Sequence, residues 1–182
     1  MARERKKDPA LVSQKRIQSF LKTYSTKSEK ETHELGEKIG KKLTPGTVVA
    51  LKGEIGAGKT VFIKGLAEGL GIKQIVTSPT FTLMKVYPLP YFATPKPRAV
   101  SSLSKESRGA KAGRPKQLIH LDCYRINDPQ AIADIGAPDY FGRPDTIAVI
   151  EWAEKIKPLL TGQIIGIEIK LKGKNMRKIT VK

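Results

Sequence analysis

Three short apolar runs stand out from an otherwise polar chain. They are Thr47-Val48-Val49-Ala50-Leu51, Leu118-Ile119-His120-Leu121 and Ile147-Ala148-Val149-Ile150, the first and third rich in β-branched side chains. Pro45-Gly46 precedes the first run and Gly53 follows it. Short continuous apolar runs between turn signals predict strands buried on both faces, as in a parallel sheet. Elsewhere the spacing is helical. Ser28-x-x-Glu31 reads as a capping box, and Thr32, Leu35, Ile39 and Leu43 then mark one face up to Pro45. Val61, Phe62, Leu66 and Leu70 repeat that spacing after Lys59, and Gly69 and Gly71 close it. A further helix is predicted over residues 128–135.

Alternation marks the remaining strands. Ile17 to Tyr24 predicts a first strand, and Phe81 to Tyr87 predicts another after Ile75-Val76 and Ser78-Pro79-Thr80. Residues 163–171 and 177–181 alternate on either side of Gly173-Lys174-Asn175, which predicts a closing hairpin. Strands alternating with helices predict an α/β fold of three layers, a mostly parallel sheet flanked by helices, with a C-terminal β-hairpin.

Two stretches fit neither period. Residues 1–16 begin MARERKKDPA and read as a disordered basic arm. Residues 88–117 hold Pro88, Pro90, Pro95, Pro97 and Pro115 among many Ser, Gly, Lys and Arg, and read as a disordered surface insertion. The expected organisation is one domain over residues 17–182 interrupted by that insertion. A length of 182 residues suits one α/β domain with a core and is too short for two.

Composition narrows the setting. No apolar stretch approaches the ~18 residues of a membrane span, and no apolar signal segment opens the chain. The single Cys123 has no internal disulfide partner. A cytoplasmic protein with no membrane contact is the expectation. The net charge of +17 is unevenly placed. Residues 1–30, 88–117 and 155–182 hold 24 of the 34 basic residues and 5 of the 17 acidic ones, so the rest of the chain is nearly neutral. Such a field attracts RNA or another polyanion, and it also suits a plain solvated basic surface.

Chemistry enters with Gly53-Glu54-Ile55-Gly56-Ala57-Gly58-Lys59-Thr60, which fits the G-x-x-x-x-G-K-[ST] pattern of a P-loop. Glycines let the backbone turn its N–H groups onto a phosphate chain without Cβ clashes. Lys59 can then reach the β- and γ-phosphates, and the Thr60 hydroxyl can meet Mg²⁺. The predicted strand before the motif and helix after it are the context a P-loop needs, so the fold expected is that of P-loop NTPases.

Two of the apolar runs end in an acid, Asp122 and Glu151. Ligands of open parallel sheets bind at the carboxyl ends of the strands, where the P-loop also lies. These carboxylates are therefore the candidates for holding the metal and orienting the attacking water. Each could instead cap a helix or join a surface ion pair. His120 reads as a packed sheet residue, His33 as solvent-facing, and Cys123 as a small core residue. Asp139-Tyr140-Phe141-Gly142 fits D-x-x-G but follows no strand directly, and no N-K-x-D segment reads guanine. ATP is the expected nucleotide.

The blocks GEIGAGKT (53–60), SPTFTL (78–83), HLDCYRI (120–126) and IEW (150–152), with Thr32-x-x-Leu35-Gly36 ahead of them, occur in the order found in TsaE (YjeE) proteins. The chain resembles that family over about residues 17–87 and 118–181. The resemblance implies a small ATPase that works with TsaD and TsaB proteins, whose assembly attaches threonylcarbamoyl to adenosine 37 of tRNAs decoding ANN codons. It implies that Lys59 binds phosphate, that Thr60 and Glu151 hold Mg²⁺, and that Asp122 takes the Walker B place. Thr80 would lie in a switch-like loop near the γ-phosphate, and Trp152 beside the site. Ser28 and the hairpin near Arg177 would border the base. Glu54 and Ile55 replace the family's usual Asp and Leu, which a backbone cradle tolerates. Ala153 replaces a usual proline, Cys123 replaces a larger apolar residue, and the 88–117 segment is long. Two other functions share the motif. One is a small-molecule kinase, with Arg108 and Arg114 imitating a lid. The other is an RNA-binding module with a regulatory nucleotide site, suggested by the basic flanks.

Overall fold

The computed structural model describes residues 19, 21–90 and 115–182. The predicted basic arm and most of the predicted insertion lie outside these residues. Seven strands form one sheet: β1 (Thr23–Thr26), β2 (Thr47–Lys52), β3 (Met84–Pro88), β4 (Gln117–Asp122), β5 (Thr146–Glu151), β6 (Gln163–Lys172) and β7 (Met176–Val181). Their spatial order is β1-β7-β6-β2-β5-β4-β3. The central four strands, β6, β2, β5 and β4, run parallel. The outer strands pair antiparallel, with β7 on β6, β1 on β7 and β3 on β4.

Period two explains how continuous apolar runs cover both faces. On one face Val49, Leu51, Leu118, Ile147 and Val149 pack under Leu35, Ile39, Phe62, Ile63 and Leu66 of helices α1 (Glu29–Gly40) and α2 (Lys59–Gly69). On the other, Val48, Ile119, Leu121, Ala148 and Ile150 meet a thinner layer. That layer comprises α3 (Gln130–Asp134) and the short 3₁₀ turns Ala137–Tyr140 and Ala153–Leu159. The α/β sheet sandwiched between helical layers agrees with the sequence expectation.

Ser28 caps α1 as expected, but Glu31 bonds the N–H of Lys27 rather than that of the cap residue, so the box closes one residue early. The Ser28 backbone is extended and its side chain accepts from the Glu31 N–H at 3.1 Å, while Glu31 accepts from the Lys27 N–H at 2.7 Å. The two long helices touch backbone to backbone through glycines spaced four apart. A Cβ on Gly36 would lie 2.2 Å from the Phe62 carbonyl oxygen, and one on Gly65 would lie 1.9 Å from that of His33. This contact fixes where α2 starts and so where the loop before it sits. His33 is half-buried and lies 3.3 Å from Glu68, tying α1 to α2 rather than facing solvent as expected.

Several boundaries differ from the sequence reading. β1 starts at Thr23, six residues after Ile17; residues 17, 18 and 20 lie outside the described set. β3 starts at Met84 because Thr82 donates back to Pro79, Met84 donates to Thr82, and Leu83 takes a positive φ of 61°. Phe81, read as part of the strand, is 84% exposed. The helix expected over 128–135 shortens to Gln130–Asp134 before Gly136 turns left-handed. The ends of the 88–117 segment belong to the sheet, since Pro88 pairs with Gln117 and the Leu89 N–H donates to the Lys116 carbonyl at 2.8 Å. This segment thus connects a β-hairpin, and it leaves the sheet at the edge opposite Asp122.

Candidate nucleotide site

The register aligns Leu51 with Glu151 and Glu151 with Asp122, so three central strands end together. Residues 53–58 run from that edge into α2. Gly58 precedes the helix with a left-handed φ of 99°, and a Cβ there would press to 3.2 Å of the Arg177 Nε. Gly56 is left-handed at φ 75°, with open space where a Cβ would stand. Ile55 is 69% exposed. No acidic residue belongs to the first turn of α2, and the carboxylate that meets its positive end is Glu151 from β5, against Thr60. A glycine loop of this form at a helix N-terminus is suited to receive an anion.

Lys59 is buried and folded back onto the loop. Its Nζ donates to the carbonyls of Gly53 at 2.8 Å and Glu54 at 2.9 Å, and lies 4.0 Å from the centroid of the Trp152 ring. Burial pulls the ammonium pKa below its usual value, against the opposing pull of Glu151, Asp122 and Glu154. Trp152 holds a left-handed backbone, φ 57°, and its ring packs 5.2 Å from that of Tyr124. A cavity of about 540 Å³ beside the loop has Lys52, Gly53, Glu54, Trp152, Glu154 and Lys170 among its lining residues.

Period two carries the face of Leu118 and Val149 on to His120, Asp122 and Glu151, toward α2. The Thr60 hydroxyl lies 3.4 and 3.3 Å from Glu151 Oε1 and Oε2. On its other side, Glu151 Oε1 is 3.0 Å from His120 Nε2. Asp122 belongs to a different cluster. Its Oδ2 accepts from the Ser78 and Thr80 hydroxyls, both at 2.6 Å, and its Oδ1 accepts from the Tyr124 N–H at 2.9 Å. Burial raises the Asp122 pKa, but those hydrogen bonds and nearby His120 outweigh it and leave the carboxyl below its usual range. Among the described residues, Leu83 and Trp152 are the non-glycine positions with positive φ. Leu83 accepts the Asp122 N–H, and Trp152 follows Glu151, so backbone strain sits beside both acids.

The donor set suits Mg²⁺. No group of three or more His, Cys, Asp or Glu among the described residues could hold a metal by itself. Mg²⁺ instead takes one or two protein oxygens and completes its shell with phosphates and water. Thr60 and Glu151 offer such oxygens side by side, whereas Asp122 is engaged by the Ser78–Thr80 loop.

Ser28 and Arg177 lie on the α1 flank of the loop. Arg177 is 5% exposed, pairs in register with Thr26, and donates to Asn175 O at 3.0 Å and Glu29 at 3.4 Å. Its Nε is buried without a partner. The Ser28 hydroxyl is committed to its cap. Ser78 was not singled out from the sequence; its hydroxyl, two residues before Thr80, was the available signal. The Asp139–Gly142 stretch forms a turn on the opposite face of the sheet, away from the cradle. Cys123 is fully buried, and burial pushes its thiol up to about 12.

Comparison with known proteins places the chain in a family. The chain matches the family described as threonylcarbamoyl adenosine biosynthesis protein TsaE over residues 26–95 and 103–179. That match leaves out residues 96–102, inside the 88–117 segment. A Treponema pallidum protein named tRNA threonylcarbamoyladenosine biosynthesis protein TsaE is 35% identical, over 86% of this chain and 96% of that protein. A Bacillus subtilis protein of the same name is 34% identical, over 86% and 82%. The crystal structure of Bacillus subtilis YdiB superposes with a TM-score of 0.61 at 31% identity, covering 87% of this chain and 82% of that one. The match spans the glycine loop, the Ser78–Thr80 loop and both acid-tipped strands, and the chain belongs to the TsaE family.

Proposed function

We propose that this chain is an Mg²⁺-dependent ATPase of tRNA threonylcarbamoyladenosine biosynthesis. It acts in the cytoplasm with TsaD and TsaB proteins, as one domain over residues 17–182. The observation that carries the reading is Thr60 set against Glu151 at the mouth of a glycine cradle. The names of the relatives supply the pathway.

On this reading the loop N–H groups and the N-terminus of α2 receive the phosphates. Lys59 exchanges the Gly53 and Glu54 carbonyls for phosphate oxygens. Thr60 and Glu151 would hold Mg²⁺, which when bound would supply neutralisation of the charge that develops in phosphoryl transfer. Asp122, kept ionised by Ser78 and Thr80, positions the attacking water and passes changes at the γ-phosphate to the 78–83 loop. Hydrolysis by the isolated chain is slow, because a P-loop site is commonly completed by a partner's group.

The decisive experiment is multiple-turnover modification of tRNA by TsaD and TsaB supplied with threonylcarbamoyl-adenylate, run with this protein, without it, and with Lys59→Ala or Glu151→Ala. Turnover that needs the wild type and fails with both variants supports the reading. Turnover indifferent to this protein, with active partners, sinks it. A small-molecule kinase would need a lid over this edge, and the segment holding Arg108 and Arg114 is anchored at the other one.

One observation favours direct contact with tRNA. Lys170 and Lys178 face each other across β6 and β7, a like-charge pairing that the ion pair of Lys170 with Glu168 at 3.0 Å offsets only in part. With Lys172 and Lys182 they line a cavity of about 360 Å³ in which Glu168 supplies the one carboxylate. The same strand face borders the cavity beside the glycine loop. A phosphate backbone would relieve the repulsion and lie next to the nucleotide.

A further inference from the structure

His120 has no contact with solvent. Its Nε2 bonds to Glu151 Oε1 at 3.0 Å, and its Nδ1 is buried without a partner. Packing alone does not account for a histidine here. The same sheet face carries Leu118 and Val149, both fully buried, and a leucine would extend that surface without stranding a ring nitrogen. An unsatisfied buried polar atom costs free energy, so the bond at Nε2 must bring something a leucine cannot.

That bond fixes a side chain that is otherwise underdetermined. Glu151 ends β5, and three torsions separate its carboxylate from the backbone. Its oxygens are held at two places, His120 on the β4 side and the Thr60 hydroxyl on the α2 side. A carboxylate only accepts, so Nε2 carries the proton of this bond. Without His120, Glu151 keeps one long contact of 3.3–3.4 Å and is free to rotate toward solvent or toward Lys59.

We infer that His120 is a positioning residue, whose Nε2–H holds the Glu151 carboxylate in the orientation that meets a Mg²⁺–nucleotide at Thr60. This role rests on the Mg²⁺-dependent reading above. Partners behind metal-binding groups typically change metal affinity by about 10–100-fold. The expected effect is confined to the metal-dependent part of nucleotide binding.

The test is calorimetric ADP binding with Mg²⁺ and with EDTA, for the wild type, His120→Leu, His120→Gln and Glu151→Gln. The wild type should bind more tightly with Mg²⁺. His120→Leu should lose about tenfold of that gain, while affinity in EDTA stays within about twofold. His120→Gln, which returns a donor at similar reach, should recover most of the gain. His120→Leu combined with Glu151→Gln should lose no more than Glu151→Gln alone, as members of one unit do. A full Mg²⁺ gain in His120→Leu overturns the inference, as does an equal loss in Mg²⁺ and EDTA. If His120→Leu does not fold, His120→Asn against His120→Gln decides. The shorter amide should lose the gain and the longer one keep it, and equal gains overturn the inference. A wild type that binds ADP with no Mg²⁺ gain would overturn both this role and the Mg²⁺ reading, whereas failure in the variants alone overturns only the role of His120.

Discussion

Thr60 and Glu151 are 91 positions apart in sequence, yet the threonine hydroxyl sits 3.3 and 3.4 Å from the two carboxylate oxygens. One opens the helix after β2, and the other closes β5 beside it. Parallel register makes this juxtaposition unavoidable, since Leu51 pairs with Glu151. Thr60→Ala and Glu151→Gln should each lower partner-stimulated ATP hydrolysis by about 100-fold or more, the usual scale for losing a preorganised charge-stabilising group. Single-turnover hydrolysis with TsaD and TsaB present measures this; retention within threefold by either variant would contradict the pairing.

Acid should act through Asp122. Its carboxyl ordinarily titrates at 3.8, and the folded protein holds it lower. A depressed value means that the stabilisation is complete above 3.8 and is lost as pH falls through the folded value. Urea midpoints recorded from pH 6 downward should decline below about pH 4. Asp122→Asn should be less stable at pH 7 and show a shallower decline in that acid window. Parallel curves would mean that Asp122 plays no part in acid unfolding.

Cys123 should be chemically silent in the native protein. The thiolate is the reactive form, and a thiol raised to about 12 supplies almost none at pH 8. Labelling with iodoacetamide should be at least ~100-fold slower than in urea-unfolded protein. Native labelling at the rate of a free thiol would show that this face of the sheet opens readily.

The glycine contact between α1 and α2 predicts a stability defect far from any charge. Gly65→Ala places a methyl 1.9 Å from a backbone oxygen that has no rotamer to escape into. The cost should reach about 3 kcal/mol, the upper range for overpacking. Because α2 begins at the loop, nucleotide affinity should fall as well. A thermal midpoint unchanged by Gly65→Ala would mean that the helices separate without penalty.

Charge reversal tests the lysine face. Lys170→Glu with Lys178→Glu should weaken tRNA binding and flatten its salt dependence, by roughly 0.7–0.9 in slope for each phosphate no longer neutralised. ATP binding should persist. An unchanged slope would assign those lysines to solvent.

What could be read from the sequence followed burial. β2, β4 and β5 are buried on both faces, so their apolar runs were continuous and their ends nearly right. The glycine loop was legible because its chemistry requires fixed spacing. Phe81 misled, because an apolar side chain in an alternating stretch signals a strand, whereas here Pro79 and the Asp122 hydrogen bonds hold a turn. His120 was read as packing because its partner lies 31 residues away and depends on strand register. Gly69 does end α2, and it also serves packing that spacing alone does not reveal, since a Cβ there would stand 2.3 Å from the Glu37 carbonyl oxygen.

The β3–β4 ribbon has one further consequence, for how such a protein can vary. Asp122 stands at one end of β4, and the connection that contains the family mismatch at 96–102 leaves from the other. Six residues of strand put roughly 20 Å between them. Closing a longer loop costs little more than closing a shorter one. A change of length or charge at that end of the ribbon therefore stays remote from the edge that carries Asp122. The same tip is where an experimenter can graft a fluorophore or an affinity handle.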